Sequence, residues 1–277
     1  MLRISIRVVF LATVLLWLPT QGLLAEMSVH FMDVGQGGGV LIQKDGKTIL
    51  YDCGDTFAGS AVLEYLDTME VETIDFMIIS HAHKDHMGGC IDVLNHVPVK
   101  EVLHNGSKAK TAVWKKFLKT AKAKVKDKVT VVQKDNMPNG IEGLELIVAY
   151  DADGWKGQEA DNSVLAAITD GQVRVLLTGD CEAKCEREVM KTSSVKATVL
   201  NVGHHGSNAS STLEFLNKVK PKYAVISAGA SNQYGHPKKA VLDRLRQQLK
   251  AAIYRTDQDG SIVMHSDGQK IEVETDK

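Results

Sequence analysis

This 277-residue sequence lacks the marks of several protein classes. Its four cysteines are too few for a disulfide scaffold in a chain of this length, and no pair has the CxxC spacing of a zinc knuckle. No segment repeats at a fixed period, and no Pro-, Gly- or Ser-rich linker divides the chain. Lys and Arg total 33 against 34 Asp and Glu, so net charge excludes neither an anionic nor a neutral substrate. These properties are typical of one α/β domain with a full hydrophobic core.

The only long apolar run in the sequence lies at the N-terminus. Two arginines precede an eleven-residue apolar stretch, Val8–Leu18, and a small-residue segment follows it. A run of this length is too short to span a bilayer and is typical of a secretory signal. We expect a signal peptide at residues 1–25, removed near Ala25, with an uncleaved membrane anchor as the alternative. The mature chain, residues 26–277, would then be secreted or extracytoplasmic, and it would contain no integral-membrane channel of its own.

If the chain is exported, its cysteines can form disulfides, because the compartments outside the cytoplasm are oxidising. Cys181 and Cys185 are four residues apart on a predicted helix, and Cys90 follows a Gly-Gly pair. We expect buried thiols at all four positions. A bridge such as Cys53–Cys181 is the alternative, because both cysteines follow residues that we place near the candidate site below.

Apolar strands and helices alternate along the chain. Residues Thr73–Ser80 form a nearly continuous apolar run, which is typical of a strand buried on both faces. Before it, the Asp45-Gly46 pair between two apolar runs predicts a hairpin. Strand-rich and helical blocks then alternate twice, which predicts two sheets packed together with helices outside. Further strands are predicted at Ser28–Val34, Lys100–Leu103, Val129–Gln133, Leu144–Tyr150, Ser163–Thr169, Val173–Thr178, Tyr223–Ser227 and as a closing pair between Ala252 and Glu274, and helices at Ser60–Met69, Gly88–Asn95, Lys110–Lys126, Glu182–Lys191, Thr212–Lys218 and Lys239–Lys250.

The strongest chemical signal is the HxHxDH pattern that follows the buried strand. It places His81, His83, Asp85 and His86 at the C-terminal end of that strand, where α/β folds gather their reactive groups. An extended loop can aim His81 and His83 at one metal ion, while Asp85 and His86 can aim at a second point nearby. Imidazole and carboxylate ligands suit zinc, manganese or iron. A surface loop that is rich in histidine by chance is the alternative.

Two further apolar strands end in candidate ligands. The segment VRVLLTGD ends at Asp180, and TVLNVGHHGS carries His204 and His205. A single histidine at such a place is often a core residue, but a tandem pair with a carboxylate 24 and 25 residues earlier favours a ligand role for at least one. The two oxygens of Asp180 allow it to bridge two ions.

Taken together, HxHxDH, TGD and GHHGS resemble the metallo-β-lactamase fold. The segments FMDVGQGGGVLIQ, TILYDCG, NSVLAAITDGQVRVLLTGD and YGHP resemble, in that order, the hydrolase domain of the ComEC-type DNA-uptake (competence) family. The resemblance runs from about Ser28 to the C-terminus and is weakest over Leu103–Asp161. It implies an αββα sandwich, that is, an α/β fold with two mixed β-sheets flanked by helices and a dinuclear metal site at one sheet edge.

The resemblance also implies roles for individual residues. Asp180 would bridge two divalent ions, and His205 is favoured over His204 as the ligand from the tandem pair. Asp85 and His236 would take part in catalysis, His236 as a phosphate contact or proton donor, with a structural role as its alternative. The side chains implied as ligands of zinc or manganese are His81, His83, Asp85, His86, Asp180, His205 and, alternatively, His204. The side chains implied to support these ligands from behind are Asp52, Asp33 and Asn162.

Two departures from the family pattern affect the metal site. Enzymes of this fold often carry another histidine ligand before the bridging aspartate, but that interval here offers only His96 and His104, both too early, and has Asn-Ser at 162–163. We therefore expect one ion to have fewer protein ligands and to bind weakly. The family's DVGQGD also reads DVGQGG here, so Gly38 replaces a carboxylate.

A second feature concerns the substrate. Residues Lys100–Lys134 contain eleven lysines and only two acids, a local excess of nine positive charges. Lys115, Lys119 and Lys122 would face solvent on the predicted helix, opposite an apolar stripe, as candidate contacts to DNA phosphates. A solubilising face is the alternative. Few aromatic residues accompany the lysines, so base stacking has little support.

These features predict a secreted, metal-dependent phosphodiesterase or nuclease that cleaves DNA by attack of a metal-bound hydroxide. No protein nucleophile is then required, and the sequence contains no GxSxG elbow. The first alternative is a metallo-hydrolase of a small or cell-envelope ester, such as a phosphorylcholine ester, or less readily a β-lactam or lactone. The second is a non-catalytic binding module, against which the intact ligand pattern argues. The sequence specifies no protein partner.

Overall fold

A computed structural model describes residues 27–134, 140–150 and 159–277, without the side chains of residues 159 and 161. The predicted signal peptide at residues 1–25 lies outside these residues. In the described part, two β-sheets pack face to face, with helices on the outer face of each. The αββα sandwich expected from the sequence is confirmed. No helix among the described residues has both the length and the apolar character needed to cross a membrane.

The strands of the two sheets follow the predicted apolar runs closely. Those in the described residues are β1 Met27–Phe31, β2 Gly39–Lys44, β3 Lys47–Cys53, β4 Ile74–Ile79, β5 Val99–His104, β6 Val129–Val131, β7 Leu144–Val148, β8 Val164–Asp170, β9 Val173–Leu177, β10 Val199–Asn201, β11 Tyr223–Ile226, β12 Ala252–Arg255, β13 Ile262–Ser266 and β14 Ile271–Thr275.

Both sheets mix parallel and antiparallel strands. The first sheet has the order β14-β13-β1-β2-β3-β4-β5-β6, and its strands from β3 to β6 are parallel. The second has the order β12-β11-β10-β9-β8-β7, and its strands from β9 to β12 are parallel. Because parallel strands end at the same sheet edge, the loops after β3, β4, β9 and β10 can meet there.

The helices cover the outer faces of the sheets. Helix α4 is typical: the Thr111 hydroxyl caps it by accepting a hydrogen bond from Trp114 N, and Trp114, Phe117, Ala121 and Val125 bury the apolar stripe expected from the sequence. The helices in the described residues are α1 Gly59–Thr68, α2 Lys84–Met87, α3 Cys90–His96, α4 Ala112–Val125, α5 Ala183–Thr192, α6 Leu213–Val219, α7 Lys239–Asp243 and α8 Thr256–Asp259.

Three apolar layers stabilise the sandwich. Successive side chains of a strand point to opposite faces, so each strand contributes to two of these layers. On β3, Ile49 and Tyr51 point into the core between the sheets, while Leu50 packs towards α1, α3 and α4. On β9, Val175 points into the same central core, and Leu176 packs under α5 to α7. This rigid sandwich positions the loops at its edge.

The end of the chain differs from the prediction. A closing pair of strands between Ala252 and Glu274 is wrong, because three strands form there and they belong to different sheets. Strand β12 extends the second sheet beside β11, whereas β13 and β14 pair in the first sheet. Helix α8 and Gly260, which has a φ of 72°, carry the chain from one sheet to the other.

The cysteines also differ from the prediction. All four are buried, but they form disulfides Cys53–Cys90 and Cys181–Cys185, so both the expected free thiols and the alternative Cys53–Cys181 bridge are wrong. The backbone N–H of Gly89 donates to the carbonyl of Gly54, which brings the start of α3 against the end of β3. Cys90 therefore lies opposite Cys53, with 5.2 Å between their Cα atoms.

Candidate metal centre

Ligand-type side chains from three loops meet at one edge of the sandwich, around Asp180. This residue follows β9, and its Oδ1 lies 3.1 Å from His86 Nε2 and 3.6 Å from His205 Nε2. Its Oδ2 lies 3.6 Å from both His81 Nε2 and His204 Nε2. Residues separated by about a hundred positions in the chain are thus brought within contact distance of one carboxylate.

The candidate ligands divide into two groups. The first, which we call the His81 group, contains His81, His83 and Asp180. The second, the His86 group, contains Asp85, His86 and His205. Within each group the three candidate ligand atoms all lie within 4.8 Å of one another. The histidine and aspartate groups are therefore placed for metal binding, with Asp180 in contact with both.

Hydrogen bonds fix the rings of the His86 group. His86 Nδ1 donates to Asp52 Oδ2 over 2.8 Å, and His205 Nδ1 donates to the Ser227 carbonyl over 2.9 Å. Each ring therefore presents Nε2 to the centre. His86 Nε2, His205 Nε2 and Asp180 Oδ1 converge in a buried space and make no well-aligned hydrogen bond among the described residues, although His86 Nε2 and Asp180 Oδ1 lie 3.1 Å apart. Buried polar atoms rarely stay unpaired, so this convergence fits a divalent cation.

Asp52 supports both groups from behind, the position expected for it from the sequence. It is fully buried and accepts hydrogen bonds from Ser80 N (2.8 Å) and Ser80 Oγ (2.7 Å) as well as from His86. Ser80 Oγ also lies 3.0 Å from Nδ1 of His81. Burial raises the pKa of Asp52, and His86 and Ser80 oppose that rise.

Charges inside the cluster shift its titration strongly. Burial alone would lower the pKa of His86, but the carboxylates of Asp180 and Asp52 hold that pKa well above its ordinary value. Burial would raise the pKa of Asp180, but His86 and His205 hold it well below its ordinary value. Burial and the neighbouring His86 lower the pKa of His81. The two carboxylates thus favour the protonated form of His86, with which a bound cation would compete.

The tandem histidines diverge because both adopt left-handed backbone conformations. His204 has a φ of 50° and His205 a φ of 54°, values that are costly for any residue other than glycine. His205 turns into the buried His86 group. His204 is 30% exposed, and its Nδ1 donates to Glu182 Oε1 over 3.0 Å. Of the two alternatives left open by the sequence, His205 therefore joins a three-residue group, and His204 lies beside Asp180.

The remaining sequence candidates lie at different distances from this centre. His236 packs its ring edge-on against His204, with 5.8 Å between ring centroids. Burial, followed by the charges of His204 and His205, lowers the pKa of His236 to about 4. Asn162 is buried, and its Nδ2 donates to the Asn105 carbonyl over 3.3 Å. Its neighbour Ser163 accepts a hydrogen bond from Asp180 N over 3.2 Å.

Asp33 does not reach the candidate ligands. Its carboxylate accepts a hydrogen bond from Gly35 N over 3.2 Å and lies 3.8 Å from Lys277 Nζ. The expectation that Asp33 supports the ligands is therefore wrong, because the exposed side chain closes its own turn instead.

Three polar residues at the centre were missed by sequence reasoning. Ser80 links Asp52 to His81, Glu182 orients His204, and Asn105 exchanges hydrogen bonds with Asn162. Each stands one or two residues after a strand or beside a candidate ligand. A polar residue directly after a strand or next to a candidate ligand was the sequence signal that could have identified these three.

The lysines of α4 form an exposed face, which we call the lysine face: Lys115, Lys119 and Lys122. The helix follows β5 and precedes β6, which are parallel, so it runs back from the edge that carries the centre. Lys115 is therefore nearer to that edge than Lys122.

Burial, followed by the charge of Lys122, lowers the pKa of His104 at the end of β5 to about 4.

Known proteins with similar sequences and structures point to one family. ComE operon protein 3 of Bacillus subtilis is 30% identical over 258 residues, which cover 86% of this chain and 33% of that protein. Recombination protein 2 of Haemophilus influenzae is 31% identical over 250 residues, which cover 89% of this chain and 30% of that protein. The chain spans about a third of the length of these relatives.

Solved structures and family models agree with this. The metallo-beta-lactamase fold protein YhfI of Bacillus subtilis aligns with a TM-score of 0.56 over 87% of this chain and 100% of that chain, at 14% identity, which shows a shared fold. Residues 32–230 match the model of the metallo-beta-lactamase superfamily, and this range contains every residue of the His81 and His86 groups. The chain therefore belongs to the metallo-beta-lactamase superfamily and is a metal-dependent hydrolase of the ComEC type.

Proposed function

We propose that the chain is an extracytoplasmic phosphodiesterase or nuclease that cleaves DNA with the help of two divalent ions. One observation carries the proposal: His86 Nε2, His205 Nε2 and Asp180 Oδ1 converge in a buried space without a well-aligned hydrogen bond among the described residues, and the His81 group adjoins them through Asp180. Two adjacent groups with nitrogen and oxygen ligands around one shared aspartate suit a pair of zinc or manganese ions.

The chain's own residues would hold and orient these ions. The His86 group would hold one ion and the His81 group the other, with Asp180 shared between them. Divalent ions bound there would lower the pKa of a water molecule and stabilise negative charge on the attacked phosphoryl group. Asp52 would keep His86 in the ring orientation that presents Nε2, and Ser227 would do the same for His205.

The leaving oxygen of a phosphodiester needs a proton, and two histidines compete for that role. His204 Nδ1 donates to Glu182 Oε1, and this hydrogen bond holds the ring with Nε2 3.6 Å from Asp180 Oδ2, at the centre. The pKa of His236 is lowered to about 4, so this ring is neutral at pH 7 and better suited to accept a hydrogen bond from substrate. We therefore place the contact to the leaving oxygen at His204, by its position, and a hydrogen bond accepted from substrate at His236.

Support for DNA as the substrate comes from the lysine face and from the relatives. Exposed lysines on one helix face bind phosphates without reading sequence, and such binding weakens with salt. One relative is named for recombination, which is a process of DNA. Support for export comes from the two disulfides, because disulfides are typical of oxidising compartments. Cell fractionation of the source organism with an antibody to the chain tests the location.

Metal analysis and cleavage assays on the purified chain test the activity. The metal-loaded protein is expected to nick plasmid DNA and to hydrolyse bis-p-nitrophenyl phosphate. The triple variant Lys115→Glu, Lys119→Glu, Lys122→Glu should lose about tenfold or more in DNA cleavage at low salt, while hydrolysis of the small diester stays unchanged. Hydrolysis of the small diester without any DNA cleavage would instead favour a small or cell-envelope ester as substrate.

A further inference from the structure

An exposed aromatic ring stands at the rim of the metal centre. Tyr234 lies in the loop after β11 and is 52% exposed. It stacks on His236 with 5.8 Å between ring centroids and an interplanar angle of 25°. His236 in turn contacts His204, and His204 Nε2 lies 3.6 Å from Asp180. Tyr234 therefore reaches His204 through one intervening ring, that of His236, and about half of its surface remains exposed.

Side chains of Asn232 and Lys238 hold the backbone of the loop that carries this ring. Asn232 accepts a hydrogen bond from His236 N (3.0 Å) through Oδ1, and its Nδ2 donates to the carbonyls of Gly229 (2.9 Å) and His236 (2.6 Å). Lys238 Nζ donates to the Tyr234 carbonyl over 2.6 Å. An aromatic ring on a braced turn loses little conformational entropy on binding, so it is suited to stack on a planar ligand.

Positive charge and a second aromatic residue lie on the same rim. Lys84, the first residue of α2, lies between the candidate ligands His83 and Asp85, is exposed, and is ion-paired with Asp55 over 2.7 Å. Phe57, two residues beyond Asp55 in the same loop, is 89% exposed. In the described part of the chain, exposed large hydrophobic side chains are Phe57, Leu213 and Tyr234. The sequence offered no aromatic partner for the lysine face, but folding places Tyr234, through His236 and His204, and the Lys84 ammonium group, beside His83 and Asp85, around the same centre.

We propose that Tyr234, backed by His236, is a subsite that stacks on a nucleobase of the substrate, with Lys84 contacting the adjacent phosphate. Every base has a flat π face, so such a subsite accepts any base and favours nucleotides over phosphodiesters that carry no base. The proposal rests on the proposed function and narrows its substrate class, from phosphodiesters in general to nucleotides. Stacking of one base on one aromatic ring typically changes affinity by about fivefold to a hundredfold.

Two ligands that differ only in the base test the subsite. Calorimetry with the full, metal-loaded chain should show that thymidine 5′-monophosphate binds about tenfold or more tightly than 2-deoxyribose 5-phosphate. The Tyr234→Ala variant should lose this difference by binding the nucleotide more weakly and the sugar phosphate as before. The Tyr234→Phe variant keeps the ring and should keep the difference. The Leu213→Ala variant, which removes another exposed hydrophobic side chain, should behave as the parent protein.

The subsite is overturned if Tyr234→Ala keeps the preference for the nucleotide, or if it weakens both ligands equally, as a purely structural role would. Thermal unfolding of each variant checks that the exposed substitution leaves the fold intact. Plasmid cleavage by the parent protein distinguishes the two proposals. A Tyr234-dependent preference in a protein that does not cleave DNA supports the subsite and removes the nuclease function, whereas DNA cleavage with no such preference does the reverse.

Discussion

The two ligand groups of the metal centre are built differently. In the His86 group, both rings are buried and each is held by a hydrogen bond from Nδ1, to Asp52 or to Ser227. In the His81 group, His81 is buried but His83 is exposed, and His81 Nε2 lies 2.9 Å from His83 Nδ1. The central ring nitrogens of the first group make no well-aligned hydrogen bond, and His205 Nε2 lies 3.5 Å from Asp85 Oδ2, whereas two ring nitrogens of the second group lie within hydrogen-bond distance of each other.

This difference predicts unequal affinities for two ions. An ion entering the His86 group meets two buried rings that are already oriented, so little is lost in ordering them. An ion entering the His81 group must separate His81 from His83 and fix an exposed ring. The weakly bound ion expected from the sequence is therefore assigned to the His81 group, although each group offers three candidate ligands.

The largest expected effect comes from removing the carboxylate shared by the two groups. Asp180→Asn replaces a charged ligand in contact with His81 and His86, so both sites should weaken and phosphodiester hydrolysis should fall by about a thousandfold. Metal content after gel filtration and the rate with bis-p-nitrophenyl phosphate measure this. Asp170→Asn is the matched control, because Asp170 is a buried aspartate whose carboxylate bonds Ser266 instead. Retention of two ions by Asp180→Asn would contradict a shared ligand.

The next effect separates the groups. His205→Ala removes a ligand from the His86 group and should weaken the affinity for the tighter ion by about a hundredfold or more. His83→Ala removes a ligand from the His81 group and should abolish binding of the weaker ion, while the tighter ion stays bound. Titration of the metal-free proteins with zinc against a chelating indicator gives the two constants. If His83→Ala releases the tighter ion, the assignment of affinities to the groups is reversed.

A smaller effect is expected behind the ligands. Asp52→Asn keeps the shape of the side chain but removes the charge that accepts hydrogen bonds from His86 and Ser80. Affinity for the tighter ion should fall by about tenfold to a hundredfold. The same zinc titration measures it, with Asp33→Asn as the control because Asp33 lies outside the centre. Equal effects of the two substitutions would show that net charge alone is responsible.

The smallest expected effect is a loss of folding stability at low pH that comes from His30, a residue outside the metal centre. Burial, followed by the charge of His265, lowers the pKa of His30 from 6.5 to about 4, so the folded state favours the neutral ring. Stability is therefore complete above pH 6.5 and is lost as the pH falls towards 4. At pH 5.5 His30 should lower the free energy of unfolding by about 1 kcal/mol.

Urea unfolding of the metal-free protein at pH 7.5 and pH 5.5 measures this loss. The variant His30→Gln should reduce the difference between the two pH values by that amount. An unchanged difference would place the acid sensitivity elsewhere, for example at His104, whose pKa is also lowered to about 4.

The position of the centre was predictable from the sequence, because it depends on local patterns. A buried apolar strand followed by HxHxDH fixes the end of β4, and the same reasoning holds for Asp180 after β9 and for the tandem histidines after β10. Parallel strands bring such ends to one edge. The apolar stripe of α4 and its lysine face were predictable for the same reason, since both follow from helical periodicity.

Other features depend on contacts that a linear pattern does not contain. The pairing of Cys53 with Cys90 requires knowing that Gly89 packs against Gly54. The division of the C-terminal strands between two sheets requires knowing which edges are free. Tyr234 approaches the centre only because the loop after β11 folds over the tandem histidines, so an aromatic residue remote from the lysines in sequence was not associated with substrate binding.

Asp52, His204 and His205 share a property that matters for anyone who engineers this chain. All three have positive φ, at 58°, 50° and 54°, although none is glycine. Each such residue costs about 1 to 2 kcal/mol relative to an ordinary conformation, a loss that glycine would largely avoid. At His204, whose side chain is partly exposed, glycine would relieve this cost and thereby remove a side chain beside Asp180. At Asp52 the backbone cost is outweighed, because glycine would leave the buried donors of Ser80 and His86 without an acceptor.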